Sequence, residues 1–197
     1  KFRSGAYQQS WQGNTIAIGN AAGFVEPLEA TALMVICLQC RWIADGLIDS
    51  ALEPTATMVN LYNRLNQDLW TSIRDFLALH YRYNNRIENP FWLRCRNETP
   101  LGSAADIVAF YQENGPSSIA SSYLNPNDPF GLDGYYAILN GLQVPHPRNY
   151  PISEKDRVFW TRMTREHEKI AAHAVTMPEL RELLKNPQVW RKIRHSG

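Results

Sequence analysis

Between Met58 and His80 apolar side chains return every three or four positions: Met58, Leu61, Leu65, Leu69, Ile73, Phe76 and Leu77. That period predicts a long helix with one face in a core, and it puts His80 on the apolar face as a core residue. Upstream the pattern changes. Thr15, Ile16, Ala17 and Ile18 form an apolar, partly β-branched run stopped by Gly19-Asn20, as expected of a short strand buried on both faces. Proline suits the first position of a helix, so Pro27 is read as opening one that runs to a stop at Asp45-Gly46. Downstream, residues 84–92 break the long helix, and residues 101–113 make a third with Ile107, Val108 and Tyr111 inward. Residues 114–134, rich in Gly, Pro, Ser and Asn, read as an irregular loop, and residues 135–142 as a short apolar helix or strand. Ser153 with Asp156 caps a helix to about Val175, and another starts at Pro178 with a break at Asn186-Pro187. Trp42, Trp70, Trp92, Trp160 and Trp190 are expected in a core or against a partner. The fold expected is mainly α: one N-terminal strand, then helices. A lone strand cannot form a sheet, so its partner strands should come from elsewhere. Neither an internal repeat nor a second domain boundary stands out.

Composition narrows the function classes. The 197 residues are 44% hydrophobic and 20% charged, the profile of a folded globular chain. A formal net charge of +1 gives no electrostatic case for a nucleic-acid partner. Residues 151–197 carry ten Lys and Arg against six Asp and Glu, which reads as a solvated terminal helix. No apolar run reaches the roughly 20 residues that cross a bilayer, because Gln39, Arg41 and Asp45 interrupt the longest, so no membrane role is expected. Three cysteines, an odd number, suit a reducing compartment such as the cytoplasm. Cys37 and Cys40 read as small buried hydrophobes one helical turn apart. His167 and His173 lack zinc spacing, and no metal site is expected. The chain opens on Lys1, not Met, and is expected to be a piece of a longer protein.

The candidate chemistry lies at "GNAAGFVEPLEATAL", residues 19–33. Gly19, Asn20, Ala21, Ala22 and Gly23 would let backbone approach a bound group. A helix start at Pro27 and Leu28 would aim free N–H groups and a positive dipole end at it. Such a turn suits an anion or the electron-rich edge of a reduced flavin. For Glu29, placed in the first turn, the residues alone leave two roles open: complementing the helix dipole, or moving a proton.

This segment resembles flavin-dependent halogenases, the tryptophan halogenase family, whose Gly-rich turn runs into Pro-Leu-Glu. Further pieces follow in the same order: "RDFLALHY" with "NPFWL", then "GYYAILNGL". The resemblance implies the C-terminal part of an α/β FAD-dependent monooxygenase-like (GR2-type) fold. Residues 1–26 would end its FAD-binding domain, and residues 27–197 would form a helical subdomain on the substrate side. It also implies reduced FAD (FADH2), oxygen, and chloride or bromide oxidised to hypohalous acid for attack on a small aromatic substrate. Glu29 corresponds to the family's active-site glutamate. Thr31 and Ala32 correspond to the pair whose backbone helps hold the halide. A flavin reductase would be a partner. The family's dinucleotide-binding G-x-G-x-x-G, its catalytic lysine and W-x-W-x-I-P belong upstream and are not found here, so this chain alone would not turn over.

The substrate stretch departs from the tryptophan-specific pattern. In "PFGLDGYY", Pro129 and Phe130 stand for Phe-Trp, Leu132 for one Asn, and Gly134 for a second Asn that binds the amino-acid end. Phe130 can still stack on an aromatic ring, but groups that would hold a zwitterion are missing. An indole-like, phenolic or carrier-bound substrate is expected rather than free tryptophan. Two other readings are a flavin monooxygenase that hydroxylates, and a non-catalytic helical partner domain.

Overall fold

The computed structural model describes residues 4–26 and 28–189. Among them the strand content is four two-residue pieces in two antiparallel pairs: β1 (Gly5–Ala6) with β4 (Gly23–Phe24), and β2 (Trp11–Gln12) with β3 (Thr15–Ile16). The expected single strand is therefore corrected. Of the expected run only Thr15–Ile16 is paired as a strand, its partner is local, and its side chains are exposed or half-buried. Gly19–Ala21 instead closes a turn of 3-10 helix, with Ala22 N–H donating to the Gly19 carbonyl at 2.9 Å.

Among the described residues α-helices follow at α1 (Ala32–Asp49), α2 (Ala56–Arg82), α3 (Pro90–Glu98), α4 (Ala104–Asn114), α5 (Gly131–Gly141), α6 (Glu154–Ala172) and α7 (Met177–Leu184). The first begins later than Pro27, which lies outside the described residues. Leu28–Ala30 is a separate 3-10 turn in which Glu29 and Ala30 take φ of 66° and 49°. Two left-handed residues in succession cannot continue a right-handed helix. Nor does α1 stop at Asp45-Gly46. Gly46 continues the helix beside the Met58 thioether, and the chain turns only at left-handed Ala51 and Leu52.

The long helix α2 is the spine, as its periodicity predicts, although Leu61, expected on the inward face, is exposed because Tyr62 is buried in its place. It carries Leu69, Trp70, Ile73 and Leu77 into one apolar cluster with Val35 of α1. Phe76 and Leu79 join a second cluster with Ile107 and Tyr111 of α4 and Tyr135 and Leu139 of α5. Phe130 packs against both. At 2–5 kcal/mol for a buried Leu or Ile truncated to Ala, a few such positions account for most of a domain's margin.

Polar side chains fix the small strands to the helices. Asn63 of α2 pairs with Trp11 through both backbone groups, at 2.8 and 3.0 Å. A buried relay runs from Gly19 N–H to Gln39 of α1 at 2.6 Å, then to Asn66 of α2, then to Ser10. Asp75, fully buried, accepts the Ser103 N–H and hydroxyl at 2.7 Å each and so tethers α2 to the start of α4.

Several expectations on burial fail on α1. Cys37 and Cys40 are exposed, because the inward stripe runs instead through Val35 and Gln39. Leu33 and Ile48 are also exposed. Contrary to the expectation, Leu28–Asp49 is long and apolar enough by length and composition to cross a membrane, and 17% of its most apolar 18-residue stretch is buried. Of its four charged residues, Glu29, Arg41, Asp45 and Asp49, the middle two pair at 3.6 Å. A helix packed in a protein core satisfies the same rule.

Helix α3 and the 3-10 helix Ser118–Tyr123 arise where breaks or loops were expected. Asn89 caps Trp92 N–H at 3.0 Å and Pro90 occupies the first turn, so a segment rich in apparent breakers is an N-terminus instead. The helical alternative holds for residues 135–142, although α5 starts earlier, at Gly131. Contacts also divide the chain at Arg148–Asn149, a boundary not expected. In the second body α6 starts with the capping box of Ser153 and Asp156, as its sequence predicts, and α7 with Thr176 and Glu179. Neither helix buries a side chain completely, and Trp160 is exposed rather than core. Trp190 lies outside the described residues.

Candidate functional site

Two clefts flank the segment that carries the candidate chemistry. The first, about 670 Å³, lies beside the glycine turn and is lined by Ser4, Gly5, Ala6, Tyr7, Asn20, Gly23 and Phe24. The small residues are used differently from expectation. A side chain on Gly19 (φ 54°) would meet Ile36 of α1 at 2.7 Å, and one on Gly23 would meet Ala6 and Trp70 at 2.8 Å. Their smallness lets the turn close on α1 and α2. Ala22 is buried, and Asn20 and Ala21 are exposed. Small residues, the Asn20 amide and the exposed Tyr7 ring fit the edge of a flat polar ring.

The second cleft, also about 670 Å³, is lined by Glu26, Leu28, His80, Tyr81, Asn84, Arg86, Trp92 and Leu142. Leu28 therefore belongs to this cleft and not to the one beside the glycines. Here the end of α2 meets the turn before α1. Glu29 Oε1 and His80 Nε2 are 3.2 Å apart, with the two side chains 39% and 20% exposed. His80 is thus not a satisfied core residue: it is half-buried and its Nδ1 is enclosed without a partner. One residue on, the Tyr81 hydroxyl donates to Glu26 Oε2 and its ring stacks on Trp92 at 5.6 Å. Burial first, and then the Glu26 carboxylate, push the Tyr81 hydroxyl up to about 12. Helical periodicity could not find His80 or Tyr81, because their partners lie 51 and 55 residues earlier.

Left-handed backbone at Glu29 and Ala30 costs roughly 1–2 kcal/mol per residue. It places Glu29 immediately before α1 rather than inside its first turn. Thr31 is buried at the N-cap position, where its hydroxyl makes no capping bond and its carbonyl accepts Val35 N–H at 3.0 Å. Ala32 begins the helix. The positive end of the α1 dipole therefore falls at Thr31 and Ala32, not at Pro27.

Phe130, the expected stacking residue, lies flat on Phe76 with centroids 3.7 Å apart, so one face is already taken. Phe76 in turn meets His80 edge-on at 5.7 Å. A Cβ on Gly134 would sit 3.2 Å from Phe130 Cβ and 3.8 Å from the Phe76 ring. Phe130 and Phe76 therefore border this position. The structure thus brings four groups into sequence: Phe130, Phe76, His80 and Glu29.

The profile of the tryptophan halogenase family matches residues 1–157. Tryptophan 7-halogenase RebH of Lentzea aerocolonigenes is 28% identical over 204 residues, taking in 94% of this chain and 37% of that protein. Tryptophan 6-halogenase ThaL of Streptomyces albogriseolus is 31% identical over 159 residues, or 76% of this chain and 29% of its own. The crystal structure of MibH, a lathipeptide tryptophan 5-halogenase, matches with a TM-score of 0.74 and 28% identity, covering 97% of this chain and 37% of that one. The chain spans about a third of the length of these relatives.

Proposed function

Because the chain belongs to the tryptophan halogenase family, we propose that it is part of an enzyme that places chloride or bromide on an aromatic substrate with reduced FAD and oxygen. One observation carries this reading: the Glu29 carboxylate is held by His80 directly before the buried start of α1 and is linked through Phe76 to Phe130. Reduced FAD, when bound, would activate oxygen, and oxygen is the oxidant that would turn halide into hypohalous acid while the flavin leaves as FAD and the second oxygen atom as water. The residues that would hold the flavin's edge are those of the glycine turn, Gly19 to Gly23, with the cleft beside them. The backbone of Thr31 and Ala32, at the positive end of α1, suits a halide. Glu29 takes the proton that the aromatic carbon loses as the halogen replaces it, a role open to a carboxylate within reach of the ring.

The substrate proposed is indole-like, phenolic or carrier-bound rather than free tryptophan. Leu132 offers no amide and Gly134 no side chain, and the neighbours of Gly134 are Phe130 and Phe76, so a zwitterion finds no polar clasp at those two positions. The name of MibH, which refers to a lathipeptide, fits a substrate larger than the free amino acid within this family. The rest of the polypeptide would supply the dinucleotide motif and the lysine, within a GR2-type fold whose FAD domain ends at residue 26. A flavin reductase would supply reduced FAD.

The test is Glu29→Gln in the full-length protein, given reduced FAD, bromide and indole or phenol. Brominated product should fall by about 10²–10⁴, the usual value of a positioned general base, with flavin binding unchanged. Undiminished bromination contradicts the role given to Glu29.

A further inference from the structure

If Glu29 is the working carboxylate, its placement must be held by something, because the left-handed Glu29–Ala30 backbone has no intrinsic preference for this conformation. The side-chain hydrogen bond that the structure gives Glu29 comes from His80, at 3.2 Å. The imidazole is itself fixed. It projects from the last turns of α2, its ring lies edge-on to Phe76 at 5.7 Å, and Phe76 is clamped by Phe130 at 3.7 Å. Nδ1 is enclosed and has no partner. An enclosed nitrogen is better left as a bare lone pair than as an unpaired N–H, which puts the proton on Nε2, facing Glu29.

We infer that His80 is the positioning residue for Glu29: its Nε2–H holds the carboxylate before α1, and the Phe76–Phe130 stack holds the ring. His80 acts through Glu29 and touches neither halide nor substrate in this role. The same stack ties the carboxylate to the substrate side, so the two halves of the site share one wall, α2.

The experiment uses the full-length protein and compares crystal structures of wild type, His80→Leu, His80→Gln and His80→Asn. Turnover is followed in parallel with bromide, reduced FAD and indole. A glutamine amide reaches the place of Nε2, whereas asparagine is too short. In His80→Leu and His80→Asn the Glu29 carboxylate should leave its place and kcat should fall about 10²-fold, the effect of a misplacement near 1 Å. KM for indole should stay nearly constant, and His80→Gln should restore both carboxylate and rate. Should His80→Leu fail to fold, the Gln and Asn variants decide. A carboxylate that stays put in His80→Asn, or equal rates for Gln and Asn, overturns the inference. Loss of rate in Glu29→Gln without loss in His80→Leu overturns it too, while leaving the role of Glu29 intact. If Glu29→Gln keeps its rate, the role of Glu29 fails instead, and the carboxylate's place in the variant structures still decides the role of His80.

Discussion

Glu29 and His80 meet across 51 residues, and that distance explains what a reader of the sequence sees and misses. The glutamate is visible because it sits in a recognisable string, Pro-Leu-Glu before an apolar run. The histidine falls on an apolar stripe and looks like core, since a 3.6-residue period reports which face is inward and not what arrives from another element. Tyr81 is hidden for the same reason, and it allows a test by pH. Burial and the Glu26 carboxylate raise it from 10.0 to about 12. A group raised on folding lends stability that is complete below its unfolded value and is lost as pH climbs through the folded one. The stability that Tyr81 lends should therefore be intact at pH 9 and fade between pH 10 and about 12. Tyrosinate absorbance, wild type minus Tyr81→Phe, should show a step near the upper end of that window. A step near 10 contradicts the Glu26 contact.

At the scale of elements, α2 was legible in its extent and in the inward Leu69, Ile73, Phe76 and Leu77. Leu61, expected on the same face, is exposed, and residues 75–79 are buried all round because a second cluster packs on the other side. Two other departures were not legible. Helix α3 hides behind Asn89-Pro90, which reads as a breaker yet caps and starts a helix. The α1 start hides behind Pro27-Leu28-Glu29, because no local signal announces two left-handed residues at Glu29 and Ala30. Asp75 joins the elements most directly. Replacing it by Ala leaves the Ser103 N–H and hydroxyl without their buried acceptor, so chemical denaturation should show a loss of about 3 kcal/mol. A loss under 1 kcal/mol would mean that α4 does not depend on this tether. The capping boxes of α6 and α7 give a second test. Hydrogen bonds from Ser153 and Thr176 lower Asp156 and Glu179 below the ordinary carboxylate range. Groups lowered on folding contribute above their unfolded value, and the contribution is lost as pH falls through the folded one. Helix content by circular dichroism should drop on acidification below about pH 4, and the double variant Ser153→Ala, Thr176→Ala should shift that drop to higher pH. An unshifted curve contradicts the capping account.

For the whole molecule, the sequence made the family and the helical character plain, yet misjudged which surfaces are inward. Cys37 and Cys40, read as small buried hydrophobes, are exposed among the described residues. Hydrophobic pattern states what a chain is able to bury, not which surface covers it. The proposed site is legible to the same degree: Glu29, the Thr31–Ala32 pair and Phe130, to which the proposal gives the carboxylate, halide and substrate roles, all lie on this chain, which is about a third of its relatives' length. The most direct measurement is product mass from the full-length protein with reduced FAD, oxygen and an indole, phenol and tryptophan panel, with and without bromide. The account predicts a bromine isotope doublet on an indole or phenol, dependent on bromide, and none on free tryptophan. A hydroxylated product indifferent to halide, or bromination confined to free tryptophan, contradicts it.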